Sequence, residues 1–338
     1  MVEINQKITK KVLVIRFSSI GDIVLTSPIV RCLKISGFEV HFVVKGKFKN
    51  AIENNKNINK LFTLEERDLK ERLLNRQYDL VIDLQNNIKS LRLRKGLSKT
   101  IRVVNKENIK KLLLVRLGVD LLNNQHIVER YFKALDDLGV KNDGKGLDFY
   151  IPDNFNLENK SIPLDLSKPY IAWVIGASYP KKKLPIDHVI KTCNKIKIPI
   201  AIVGDQSDEA NGIEITNSVE HPNIYNLCGK LSLMESSFVL KKAAIVLSND
   251  TGLMHIASAF NKKIISFWGC TKPSLGMFPY KPLNGSLEIV SKTHHAPCSK
   301  LGNRCKSKNK NCIEDIQPAI ILATVNRLLE TKKDTNLT

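Results

Sequence analysis

The chain has 338 residues, 43% apolar and 25% charged, with 17 Gly and 13 Pro, a composition that supports an ordered core and excludes collagen-like and disordered classes. At roughly 100 to 200 residues per domain, this length suggests two domains. Lys and Arg number 53 against 33 Asp and Glu, a formal charge of +20, so an anionic partner is expected: nucleic acid, lipid headgroups or a phosphorylated substrate.

No apolar run reaches the roughly 18 residues of a membrane span, and residues 1–11 carry charges and Asn where a signal peptide needs apolar side chains. The seven cysteines, an odd number set mostly in apolar segments, fit a reducing compartment better than a disulfide framework. A cytoplasmic location is therefore expected. The basic charge is concentrated: residues 89–116 hold ten Lys and Arg and a single acid, Glu107.

In chain order, residues 11–17 (KVLVIRF), 39–44 (EVHFVV), 78–84 (YDLVIDL) and 100–104 (TIRVV) are brief apolar runs bounded by polar or Gly residues. They read as buried strands, with helical patterns between them. Residues 148–169, with three prolines and several asparagines, break the pattern as an exposed linker does. Strands resume at 170–176 (YIAWVIG), 199–204 (PIAIVG), 224–228, 243–248 (AAIVLS) and 263–268 (KIISFW), and residues 313–329 close the chain as a helix. The expected fold is α/β: two Rossmann-like, doubly wound domains of parallel strands, 1–160 and 161–338, facing each other over a cleft.

Neither a G-x-G-x-x-G after the first strand nor a G-x-x-x-x-G-K-[S/T] is present, which removes the main support for dinucleotide binding and excludes P-loop ATPases. No Asp-x-Asp occurs either, so a bound nucleotide diphosphate must be neutralised by protein dipoles and cations. Three loops leave the carboxyl ends of strands, where open parallel sheets gather ligands. The first is Arg16-Phe17-Ser18-Ser19-Ile20-Gly21-Asp22. Gly21 permits close backbone approach, and Asp22 is either a helix cap or a carboxylate acting as general base. The second, Asn249-Asp250-Thr251-Gly252-Leu253-Met254-His255, opens a helix whose free N–H groups and partial positive charge suit a pyrophosphate, with His255 one turn in. The third, Gly176-Ala177-Ser178-Tyr179-Pro180-Lys181-Lys182-Lys183-Leu184-Pro185, sets small residues before three lysines, either a phosphate site or a solvated face.

Together these residues resemble the ADP-heptose:lipopolysaccharide heptosyltransferase family, glycosyltransferases of the GT-B fold. The family's Arg-x-Ser-Ser-x-Gly-Asp appears at 16–22, its Asp-Thr-Gly-x-x-His-x-Ala at 250–257, and its Gly-x-Thr-x-Pro with a following Pro-Tyr as Gly269-Cys270-Thr271-Lys272-Pro273 and Pro279-Tyr280. The resemblance implies that Asp22 is the catalytic base. It places Ser178, Lys182, Asp250, Thr251, Gly252 and His255 at the donor diphosphate and sugar. Where the family often writes Lys-Arg-Trp-Pro, this chain has Lys182-Lys183-Leu184-Pro185, which bears on donor specificity. The implied reaction is inverting transfer of a heptose from an ADP-sugar to the lipopolysaccharide inner core. The N-terminal half would hold the acceptor, with Ser18, Ser19, Gly21, Arg92, Arg94 and Lys95 as candidate contacts.

The basic segment would also give peripheral contact with the anionic cytoplasmic leaflet of the inner membrane. No cofactor is expected. Cys298, Cys305 and Cys312 are separated by six residues each, outside the usual spacing of zinc knuckles, and read as structural with no metal. Two alternatives remain. One is a GT-B transferase using another nucleotide sugar. The other is a basic nucleic-acid-binding protein, against which the basic segment's lack of interleaved aromatics argues, so nucleic acid is not the expected partner.

Overall fold

A computed structural model describes residues 10–157, 162–308 and 310–330. They form two compact units. The first comprises residues up to Lys106 together with Ile127–Tyr150, and the second comprises Glu107–His126 and the residues from Ile151 onward. The basic segment is thus divided. Its first part, through Lys106, belongs to the first unit, and helix Asn108–Leu117 belongs to the second.

In the first unit, strands β1 (Lys11–Ile15), β2 (Glu39–Val44), β3 (Lys60–Thr63), β4 (Leu80–Asp83) and β5 (Ile101–Val103) make one sheet in the order β3-β2-β1-β4-β5. Every pairing is parallel, with Ile15 opposite Asp83 at the carboxyl end of the β1–β4 pair. Parallel strands need crossover connections, so helices cover the faces and the strands become apolar on both sides. Val12, Leu13, Val14 and Ile15 are all fully buried. The β3 segment escaped the sequence reading because KLFT has one buried residue and no sustained apolar run.

The second unit carries β6 (Ile171–Val174), β7 (Ile200–Val203), β8 (Ile224–Asn226), β9 (Ile245–Asn249), β10 (Lys263–Trp268) and β11 (Leu287–Val290), again all parallel, in the order β11-β10-β9-β6-β7-β8. The two-residue period of a strand sorts its side chains cleanly. Ile171, Trp173 and Ile175 enter a cluster with Val189, Ile321 and Val325, whereas Tyr170, Ala172 and Val174 enter another with Val239, Met254 and Trp268. Helix Pro318–Glu330 supplies the closing helix expected from the tail. β11 also escaped the sequence reading: its residues alternate partly buried and exposed, as on an edge strand.

In both sheets the chain first builds outward from one side of a central strand and then returns to build on the other side. β1 and β4 flank the point of reversal in the first unit, and β6 and β9 flank it in the second. Ligands in open α/β sheets bind outside the carboxyl ends of the strands at such a point.

Candidate functional site

At the first reversal point, Arg16 follows β1 and is 7% exposed. Its guanidinium meets Asp22 with Nη2 2.6 Å from Oδ1, and its Nε donates to the Ser18 carbonyl at 3.0 Å. Asp22 is the third residue of helix Ile20–Val24, and its Oδ2 accepts from the Ser19 amide at 3.1 Å and the Ser19 hydroxyl at 3.0 Å. It is therefore a capping residue, one of the two roles its position in the sequence allows, and also the ion-pair partner of Arg16. Burial pushes the Asp22 carboxyl up, but the Arg16 charge and the two Ser19 hydrogen bonds more than reverse this and hold it below the usual carboxylate range. The carboxylate stays ionised, and its side chain is 25% exposed.

The loop after β4 closes around this pair. Asp83, fully buried, accepts from the amides of Gln85 at 2.9 Å and Asn86 at 2.7 Å, and Gln85 Oε1 accepts from the Phe17 amide at 2.9 Å. A cavity of about 440 Å³ opens there, lined by Phe17, Ser18, Lys45, Gln85, Asn87, Ile88 and Lys89. Ser18 faces it, Ser19 is exposed, and Gly21 is buried beneath the turn.

Three groups that sequence reasoning passed over join the site. Lys45 follows β2 and lines the cavity. Lys106 is partly buried, its pKa pulled down by burial and then by Arg16, and it lies within electrostatic reach of Asp22 and Asp83. Tyr131, fully buried on helix Ile127–Lys133, senses both Arg16 and Asp22, and burial pushes its phenol up to about 12. Of the three basic residues proposed as acceptor contacts, Arg92 and Lys95 are exposed, but Arg94 is not free to clamp a ligand: its Nη1 lies 2.6 Å from Asp83 Oδ2. A fully buried carboxylate requires that partner.

At the second reversal point, Lys182 Nζ lies 2.7 Å from Asp250 Oδ2, and Thr271 Oγ1 donates to the same oxygen at 2.9 Å. Residues after β6, β9 and β10 thus converge on one carboxylate. Asn249 knits the first two loops together: its Nδ2 donates to the Ile175 carbonyl at 2.8 Å, and its Oδ1 accepts from the Leu184 amide at 3.3 Å. Thr251 caps helix Gly252–Ala259 in extended conformation, leaving the first-turn N–H groups of Gly252 and its successors aimed outward. Ser178 is exposed, whereas His255 is 2% exposed and sits inside the helix's packed face.

Lys183 does not share the phosphate role foreseen for the lysine run. It pairs at 2.5 Å with Asp208, a buried carboxylate that also accepts from the Asp205 amide. The glycines make room for that carboxylate, since a Cβ on Gly176 would come within 2.4 Å of Asp208 Oδ2. Leu184, in place of the family's Trp, is 4% exposed and packs in the core beside Trp173.

The late cysteines do not stand alone. Cys270, after β10, joins Cys298, Cys305 and Cys312, and the four sulfurs lie within 4.8 Å of one another. Sequence spacing missed this because the fourth thiol comes from another loop.

Two doubly wound parallel units, each with polar loops gathered at its reversal point, make the α/β fold found in glycosyltransferases of the GT-B class. The chain belongs to glycosyltransferase family 9 (heptosyltransferase), whose family model it matches over residues 66–310. It is 27% identical over 352 residues to lipopolysaccharide heptosyltransferase 1 of Campylobacter coli, a similarity covering 94% of this chain and 98% of that protein. Among solved structures it is similar to a family 9 glycosyl transferase from Veillonella parvula, with a TM-score of 0.76, 17% identity, and coverage of 95% of this chain and 97% of that one. It is also similar to the E. coli ADP-heptose lipopolysaccharide heptosyltransferase II, with a TM-score of 0.71, 20% identity, and coverage of 96% and 99%. The fold class read from the sequence is borne out, and the nucleic-acid-binding alternative is not favoured.

Proposed function

We propose that this chain transfers a heptose from ADP-heptose to an inner-core hydroxyl of lipopolysaccharide, with inversion at the anomeric carbon. The observation that carries the reading is the nearly end-to-end similarity to a lipopolysaccharide heptosyltransferase. In the proposed mechanism the first unit holds the acceptor in the cavity beside Ser18, and the Asp22 carboxylate takes the proton of the attacking hydroxyl. Arg16 fixes the carboxylate, and Lys45 and Lys89 on the cavity wall match the acceptor's phosphates and carboxylates.

The second unit holds the ADP moiety. Lys182 and the N–H groups at the start of helix Gly252–Ala259 stabilise charge on the departing diphosphate, with Asp250 and Thr271 setting the lysine's position. Arg92 and Lys95 extend the basic surface toward the acceptor.

Peripheral membrane contact is part of the same proposal. Helix Asn108–Leu117 exposes Ile109, Leu112 and Leu117 along with Arg116, an apolar and cationic mixture suited to an anionic bilayer surface. No helix among the described residues is long and apolar enough to cross a membrane.

The test is a thermal-shift panel of nucleotide diphosphates. A ligand present at a hundred times its dissociation constant stabilises the native state by about 2.7 kcal/mol. ADP is expected to shift the midpoint well above UDP and GDP. Equal shifts, or a larger one with UDP, would overturn the donor assignment.

A further inference from the structure

The loop from 291 to 311 has a composition that cannot order itself by burial. Its one large aliphatic side chain, Leu301, is 56% exposed, and its sequence holds six cations (Lys292, Lys300, Arg304, Lys306, Lys308 and Lys310) and no acid, the next acids along the chain being Glu314 and Asp315. Chains of this kind need a cross-link or a metal to hold a shape. Yet Cys298 and Cys305 from this loop, Cys312 at its end and Cys270 after β10 are brought together. Cys270 and Cys312 are fully buried, Cys298 is 7% exposed, and Cys305 is partly exposed.

The sulfur geometry separates the possible reasons. A disulfide needs about 2.05 Å between sulfurs. Here Cys298 and Cys305 each lie 3.4 Å from Cys312, and all four sulfurs fall within 4.8 Å of one another. Four thiolates arranged tetrahedrally about one ion, with metal–sulfur bonds of about 2.3 Å, have sulfurs about 3.8 Å apart. That value lies inside the observed span.

Electrostatics agree with the geometry. Four thiolates around a dication carry a net charge of −2, which a buried site must balance. Lys272, two residues after Cys270, is 3% exposed and lies within electrostatic reach of Cys270, Cys298 and Cys312. Its ammonium donates to the Ser291 carbonyl at 2.6 Å. Asp315 also lies within electrostatic reach of this ammonium, so a cation and a carboxylate both stand near the cluster.

We propose that Cys270, Cys298, Cys305 and Cys312 bind one thiophilic divalent metal ion, zinc or ferrous iron, in a tetrathiolate site. Four metal–sulfur bonds form as four S–H bonds release their protons to solvent, and no electron is transferred. The site ties the loop after β10 to the loop after β11. Both reach the donor machinery: Thr271 bonds Asp250, and the Gly302 backbone packs on Lys182, where a Cβ at 302 would stand 2.7 Å from Cγ and Cε. The ion therefore positions the Lys182–Asp250 pair, a consequence that rests on the donor-site reading, whereas metal binding does not.

The direct experiment is elemental analysis of the full chain purified without chelators. About one zinc or iron per chain is expected. Cys270→Ser and Cys305→Ser should lose it, and Cys193→Ser, which alters a buried cysteine outside the cluster, should keep it. Where a cluster variant does not fold, titration of wild-type thiols with a mercurial, read with a chromophoric chelator, should release one metal per four cluster thiols. Metal-free wild-type protein that also fails to give thiolate-to-cobalt absorption on adding cobalt would overturn the proposal, as would two disulfides found by mass spectrometry or metal retained in Cys305→Ser. Positioning is read separately: Cys305→Ser should raise the donor KM more than it lowers kcat. Metal loss with unchanged donor kinetics would leave the metal site standing and remove its link to Lys182.

Discussion

Asp22→Asn, taken alone, confounds two effects, because the carboxylate is both the proposed base and the partner of a buried guanidinium. The Arg16–Asp22 pair is 2.6 Å apart with side chains 8% and 25% exposed. At an effective dielectric near 20 their gross attraction is about 6 kcal/mol, most of which offsets desolvation. Removing one partner of a buried pair costs about 3 to 5 kcal/mol, and the exposure of Asp22 puts both Asp22→Asn and Arg16→Met near the low end, about 3 kcal/mol. The double variant should be destabilised by less than the sum, by about 1 to 3 kcal/mol. Activity separates the roles. Asp22→Asn should lower turnover by about two to four powers of ten at every pH, with ADP affinity retained. Arg16→Met keeps the base but lets burial raise its pKa, so the acid limb of kcat/KM should move to higher pH, each unit being about 1.4 kcal/mol. Denaturant melts and pH–rate profiles of the three variants measure both effects. Wild-type turnover per folded molecule in Asp22→Asn would refute the base assignment, leaving Asp22 a helix cap.

The remaining predictions concern other charged groups. Lys182→Ala should raise the donor KM and slow turnover at least tenfold, while Lys183→Ala should chiefly lower stability by leaving buried Asp208 unpaired; equal donor kinetics in wild type and Lys182→Ala would contradict the phosphate assignment. Charge reversal at Arg92 and Lys95 should raise the acceptor KM and weaken binding to anionic vesicles with ADP binding unchanged, each cation near such a surface contributing about 1 kcal/mol. Arg94→Glu should destabilise by about 3 kcal/mol or more, because Asp83 is fully buried, and a melt equal to wild type would contradict that pairing. In the first unit, Arg31 binds Asp143 through two 2.8 Å hydrogen bonds that hold the carboxyl at about 2. The stability this contributes is complete above about pH 4 and lost as pH falls toward 2, so Asp143→Asn should flatten the acid limb of the stability profile.

The loops at the two reversal points were legible in the sequence because each follows a buried strand, whose apolar run is easy to see, and leads into helix-start residues. What a charged residue does within a loop was not legible. Arg92 and Arg94 are alike in sequence, and only the helix face decides that one meets solvent and the other a buried carboxylate at the end of β4. Lys182 and Lys183 divide in the same way between Asp250 and Asp208. Lys45, Lys106 and Tyr131 come from distant segments that only the sheet order gathers near Asp22, and Cys270 joins its partners across 28 or more residues. β3 and β11 escaped notice because each is a four-residue segment with no sustained apolar run: Lys60 and Thr63 flank the two apolar residues of β3, and Glu288 interrupts β11.

The most direct test of the central claim is a transfer assay with ADP-heptose and a heptose-deficient lipopolysaccharide acceptor, following ADP release and the mass of the acceptor together. The account predicts one heptose added per ADP released, with inverted anomeric configuration, and both signals reduced by two to four powers of ten, roughly, in Asp22→Asn. ADP release without acceptor modification, or efficient transfer from UDP- or GDP-sugars in place of ADP-heptose, would contradict it.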